Sequence, residues 1–180
     1  MQKQDKYIYI IISSTKTLLG KMIQTCLGVE YNHCSIALDN SLKTFYSFGR
    51  KDFRNALRGG FIIEGKEKEF FKCHSDSYIV VMKIPVSIEQ FTQINSEITR
   101  FSSKECRYKY SIIGLIYCFF GIPKKRKQKY FCSQFVAEII QQSGMTLLNK
   151  PPALIKPHDF LGIKNGHLVY KGAIGNYEVT

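Results

Sequence analysis

Apolar and polar positions along the chain fall into blocks of two periods. Residues 7–13 are an apolar, β-branched run that predicts a buried strand. Ser14 or Thr15 is placed to cap a helix running to Leu27. Its stripe of Leu18, Leu19, Met22, Ile23, Cys26 and Leu27 is core, closed by Gly28. Residues 30–39 alternate as a strand does. Cys34, Ile36 and Leu38 take one face, and His33, Ser35 and Ala37 take the other. The second face has small residues around the imidazole, which leaves room for a ligand. Asp39-Asn40-Ser41 is turn chemistry, so residues 42–48 predict a strand antiparallel to the His33 strand. Residues 51–77 read as loop with short strands, among which Gly60-Phe61-Ile62-Ile63-Glu64 fits an edge strand.

Residues 78–84 predict a strong strand closed by Pro85. Ser87 with Gln90 makes a capping box, and Ile88, Phe91, Ile94, Ile98 and Phe101 give a helix to about Ser103. Residues 108–121 are the most apolar window. Gly114 and Gly121 punctuate it and it is too short to span a bilayer, so it reads as a core helix. Cys132, Phe135, Val136, Ile139 and Ile140 then follow i, i+3, i+4, i+7, i+8, the stripe of a helix lying on a core, with Gly144 ending it. Pro151, Pro152 and Pro157 make an extended crossing. Pro157-His158-Asp159-Phe160 looks like a helix start, and residues 167–173 read as a final strand. No repeat, low-complexity tract or linker divides the chain. The expectation is one α+β domain over residues 1–180, with an antiparallel sheet and the Cys132 helix packed on it.

Composition narrows the class. A hydrophobic content of 44% fits a globular protein. Six cysteines, at 26, 34, 73, 106, 118 and 132, form no CxxC pair, which argues against a zinc site or a dithiol redox centre. Cys73 and His74 are adjacent but have no second ligand pair. The N-terminus does not read as a secretory signal, so a cytoplasmic, reduced protein with free thiols is the default. The net charge of +12 favours anionic partners and is partly clustered in Lys124-Lys125-Arg126-Lys127-Gln128-Lys129. By itself such a run is a solvated loop. No nucleic-acid motif accompanies it. Following an aromatic-rich window, it also suits an anionic membrane surface.

Cys132 sits on the first turn of its predicted helix. The helix dipole and free N–H groups there favour the thiolate, which is the nucleophile. The plain alternative is a small buried hydrophobe. A nucleophilic Cys needs a base that can be remote in sequence. Of His33, His74, His158 and His167, His33 stands out for its strand. The plain alternative for His33 is a solvated strand face. His158 next to Asp159 is read as structural or surface.

A strand reading Tyr31-x-His33-x-Ser35-Ile36-Ala37-Leu38-Asp39, followed much later by Phe131-Cys132-Ser133-Gln134-Phe135-Val136-Ala137-Glu138, resembles the circularly permuted branch of the NlpC-type papain-like cysteine hydrolases. This is the YiiX-like group, related to the lecithin retinol acyltransferase group. The resemblance spans roughly residues 7–160 and includes the permuted order, His strand first and Cys helix late. It implies Cys132 as nucleophile and His33 as base, acting on an amide or ester through an acyl-thioester. The backbone N–H of Cys132 is the natural oxyanion donor. The second strand is where this branch keeps a polar residue that orients the imidazole. Here Ser47 is favoured, with Tyr46 second, and neither is a carboxylate. Arg50, at a strand end after Gly49, suits a substrate carboxylate or phosphate, and Tyr110 is expected near the site. No cofactor or metal is implied. The substrate class is a peptide, γ-glutamyl or lipid acyl group. The competing class is a catalytically degenerate module of the same fold that binds an anionic membrane surface or nucleic acid.

Overall fold

The computed structural model describes residues 6–15, 29–50, 59–103 and 107–179. The helix expected from Ser14 or Thr15 to Leu27, with Cys26, lies outside the described residues, as does Cys106. The architecture is α+β. Strands β1 (Lys6–Ser14), β2 (His33–Ala37), β3 (Phe45–Arg50), β4 (Gly59–Glu64), β5 (Tyr78–Val86) and β8 (His167–Ala173) form a six-stranded sheet in the order β4-β3-β2-β1-β5-β8. Every neighbouring pair is antiparallel. Two-residue strands β6 (Lys109–Tyr110) and β7 (Lys129–Tyr130) pair in parallel beside it.

The unbroken apolar run of β1 has a simple cause: both of its faces are covered. Ile8, Ile10 and Ile12 join one core, and Tyr9 and Ile11 join another. The first core lies between the sheet and two helices, α2 (Ile88–Ser103) and α4 (Cys132–Gln142). The second lies under the short helix α1 (Glu69–Cys73) and the C-terminal segment, around Phe45, Phe71, Ile79, Val81, Ile174 and Tyr177. A fourth helix, α3 (Ile112–Phe119), precedes β7.

Local chemistry explains most boundaries. Ser41 N–H donates to Asp39 Oδ1 at 2.8 Å, the expected Asx turn, and lets Leu42 enter a left-handed conformation with φ 51°. The capping box of α2 is complete: Ser87 N–H donates to Gln90 Oε1 at 2.8 Å, and Gln90 N–H to Ser87 Oγ at 3.2 Å. After α4, Gly144 has φ +80° and its N–H reaches the Gln141 carbonyl at 3.0 Å. The acidic end of the Gly60–Glu64 segment is on β4, an edge strand as its sequence suggests.

Three expectations change. Pro85 does not close β5; the strand runs on to Val86, with Pro85 opposite Tyr7. The window 108–121 is not one core helix. Lys109 and Tyr110 are a strand, Ser111 accepts from Gly114 N–H to cap α3, and only Gly114 and Cys118 of α3 are buried. The proline crossing is broken by 3-10 turns at Pro152–Leu154 and Pro157–Gly162.

Helix α4 is seated by an aromatic cluster. Phe135 lies 5.0 Å from Phe48, 5.1 Å from Phe101 and 5.7 Å from Phe61, ring centre to ring centre. Residues 132–140 are all buried, polar ones included, so α4 is covered on every side and not only along its stripe. Ser133 Oγ donates to the Ile155 carbonyl at 2.7 Å, and Gln134 turns to Glu138. Lys125 of the basic loop reaches Glu138 Oε1 at 3.2 Å, covering that side of the helix.

Candidate active site

His33 is the first residue of β2 and Cys132 the first of α4, and their side chains meet. The imidazole has the Cys132 sulfur as one hydrogen-bonding partner and a carboxylate as another. His33 Nε2 lies 2.9 Å from Glu64 Oε2. The same carboxylate oxygen accepts from Ser35 Oγ at 2.7 Å, and Ser35 Oγ stands 3.4 Å from His33 Nε2. Cys132, His33 and Glu64 thus form a thiol–imidazole–carboxylate line, with Ser35 steadying the acid. On the face where small residues leave room beside the imidazole, Ser35 and Glu64 are its neighbours.

Charge follows from this geometry. Burial works against a charged ring. The Glu64 carboxylate, the Cys132 hydrogen bond and the Glu64 hydrogen bond outweigh it and push His33 up to about 10. The other buried thiols differ. Burial pushes Cys34 far up and Cys118 up to about 11, which keeps both protonated at neutral pH. Cys73 is exposed. Cys132 itself is only 2% exposed.

The N-terminus of α4 has no side-chain cap, since Phe131 in that position offers none. The first N–H groups of a helix lack intrahelical partners and can serve as oxyanion donors. Among the described residues, no group of three or more His, Cys, Asp or Glu side chains could hold a metal ion.

The imidazole's orienting partner is Glu64, and neither Ser47 nor Tyr46 has that place. Ser47 Oγ donates to the Cys34 carbonyl at 2.6 Å, fastening β3 to β2. Tyr46 lies opposite Ile36 and stacks on Phe61, 6.2 Å between ring centres, facing the α4 core. Tyr110 packs on the backbone of β4: a Cβ added to Gly59 would lie 2.6 Å from Tyr110 Cβ. Tyr110 also pairs with Tyr130, two residues before Cys132, which places it beside the site. Arg50 closes β3 opposite Gly59, and its side chain lies outside the described set. His158 Nε2 is 3.6 Å from Asp159 Oδ1, too far for a hydrogen bond, and Asp159 is engaged by Lys150 at 2.8 Å. Its proximity to Lys150 and to the Lys156 N–H holds the Asp159 carboxyl below its usual range despite burial.

Glu64 and Ser35 are the residues that pattern reading passed over. Each left a signal. Ser35 shares its alternation face with His33, and Glu64 is the one carboxylate in an apolar strand. No protein-family model matches the chain, and no curated protein or solved structure matches it.

Proposed function

We propose that this chain is a cysteine hydrolase or acyltransferase of circularly permuted papain-like fold, acting on an amide or ester. The observation that carries the reading is the His33 imidazole held between the Cys132 sulfur and the Glu64 carboxylate, 2.9 Å from Nε2. The order of elements, His strand early and Cys helix late, supports the permuted arrangement and agrees with the resemblance of the two motifs.

In this reading Cys132 attacks the acyl carbon as a thiolate paired with the His33 imidazolium. The carbonyl oxygen of the tetrahedral intermediate takes backbone N–H donors at the start of α4. The C–N or C–O bond of the substrate then breaks, and His33 gives its proton to the leaving group. A thioester remains on Cys132. Water, deprotonated by the now neutral His33, resolves it to the acid; an alcohol or amine acceptor in its place gives acyl transfer. Glu64 orients the ring throughout and balances its charge. The acyl group is a peptide, γ-glutamyl or lipid one.

The second reading is a catalytically degenerate module, favoured by the 2% exposure of Cys132. Reactivity separates the two. Limiting iodoacetamide across mildly acidic to alkaline pH, with mass-spectrometric mapping, is expected to label Cys132 selectively below neutrality. That labelling is expected to vanish in His33→Ala, with exposed Cys73 as the internal comparison in both. Cys132 labelling no faster than Cys73, with or without His33, assigns a structural thiol and supports the degenerate reading.

A further inference from the structure

The residues leading into Cys132 build a surface of a different kind. Helix α3 has no charged residue in its first or last turn, and its buried side is only Gly114 and Cys118. That side packs close to the site. A Cβ at Gly114 would lie 3.5 Å from the ring of Phe131, and Cys118 Sγ is 4.0 Å from the Ile155 carbonyl that Ser133 also engages. The outward side is apolar. Ile113 is 48% exposed, Ile116 49%, Phe120 77% and Ile122 47%. Ile113, Ile116 and Phe120 follow i, i+3, i+7 and so share one side of the helix.

The rim of this apolar side is cationic. Lys124 Nζ lies 4.7 Å from the centre of the Tyr117 ring, and Lys156 Nζ 4.4 Å from that of Phe119. Lys125, Arg126 and Lys127 follow in the same loop, Lys129 opens β7 after it, and no Asp or Glu occurs in residues 106–137. The Lys125–Glu138 pair fixes the loop to the body, and the Arg126–Lys129 bridge closes a turn within it.

We infer that α3 and the 120–129 loop dock the protein on an anionic lipid surface, with Ile113, Ile116, Phe120 and Ile122 entering the acyl boundary and the lysines meeting the headgroups. Charge complementarity selects the occupant. Aliphatic side chains flanked by cations gain nothing from nucleic-acid phosphates, whereas both halves of the surface are used at a charged bilayer. Among the described residues no helix is long and apolar enough to cross a membrane, so this contact is interfacial. The inference is independent of the catalytic reading: Cys132→Ser is expected to dock as well as the wild type.

Flotation of the full chain with vesicles of phosphatidylcholine alone, or mixed with phosphatidylserine, tests it. Binding is expected only with phosphatidylserine. Ile116→Ser with Phe120→Ser, both at exposed positions, should weaken it at least about tenfold with an unchanged circular dichroism spectrum and melting curve. Lys124→Gln with Lys127→Gln should weaken it by about 25-fold, at roughly fivefold per cation. The inference is overturned if the wild type fails to float with phosphatidylserine vesicles, or if the Ile116/Phe120 double variant floats as well as the wild type. Tight binding of a single-stranded RNA oligonucleotide, lost in the lysine variant while vesicles go unbound, reassigns the surface to nucleic acid.

Discussion

Replacing Glu64 with Gln keeps the length and shape of the side chain and removes its charge. At 2.9 Å from His33 Nε2, a full charge pair in a medium of effective dielectric about 20 is attracted by about 6 kcal/mol. Solvent at the edge of the site screens part of this, and burial of the ring opposes it further. What is left holds the imidazole at about 10, far above the 6.5 of an ordinary histidine. In Glu64→Gln the burial cost persists while its main compensation is gone. Cys132 alone then supports the charged ring, and the protonation midpoint of His33 is expected to fall by at least about two pH units. Long-range proton–nitrogen correlation spectra of histidine-labelled protein, titrated from about pH 5 to about pH 11, read this directly. The sign for stability follows. A group raised in the folded state stabilises fully below its unfolded pKa, near 6.5, and that contribution is lost as pH rises toward about 10. Wild type should therefore lose its stability margin over Glu64→Gln across that window. Cys132→Ala should lower the His33 midpoint too, but less than Glu64→Gln, because the Glu64 charge is the largest of the interactions that raise it. A His33 signal that titrates near 6.5 in wild type, or identically in wild type and Glu64→Gln, would refute the reasoning.

Other consequences can be checked with ordinary variants. Ser47→Ala removes only the 2.6 Å bond to the Cys34 carbonyl; it should cost about 1–2 kcal/mol in urea unfolding and leave the His33-dependent labelling of Cys132 intact. Phe135→Ala opens a hole among Phe48, Phe61 and Phe101 beneath α4; a loss of about 3–5 kcal/mol is expected, together with loss of selective Cys132 labelling. Gly65→Ala would put a Cβ 2.1 Å from the backbone oxygen of Lys43, so β3 and β4 must separate next to Glu64; a lowered melting temperature and a lowered His33 midpoint are expected together.

The anchors were legible because each is a chemically distinctive residue on a strongly patterned element. His33 heads a strand whose Cys34 and Ile36 are core, and Cys132 heads a helix whose apolar stripe is complete. The capping box at Ser87 and the turn at Asp39 are local chemistry, written within four residues, and they read correctly. Helix α3 did not. Its composition is that of a core helix, but Gly114 and Cys118 are all it buries. Apolar content alone cannot separate a face that meets the sheet from one that meets something else.

Glu64 shows why the third residue was misplaced. The resemblance places the imidazole's partner on the second strand, β3. Ser47 is on that strand, but a hydroxyl on one carbon is short, and the Cys34 carbonyl lies within its reach at 2.6 Å. A glutamate on the edge strand β4 has two further atoms of reach. Its carboxylate crosses β3 to Ser35 and His33, at 2.7 and 2.9 Å, both on β2. That diagonal depends on register: Phe45 opposite Glu64, and Ile36 opposite Tyr46. Moving β4 by one residue would send the carboxylate to the other face of the sheet. The packing of Phe61 against Phe48 and Phe135 in the α4 core sets that register. The aromatic cluster that seats the Cys132 helix therefore also aims the acid at the imidazole, and so the site is assembled by the core and not by the loops around it.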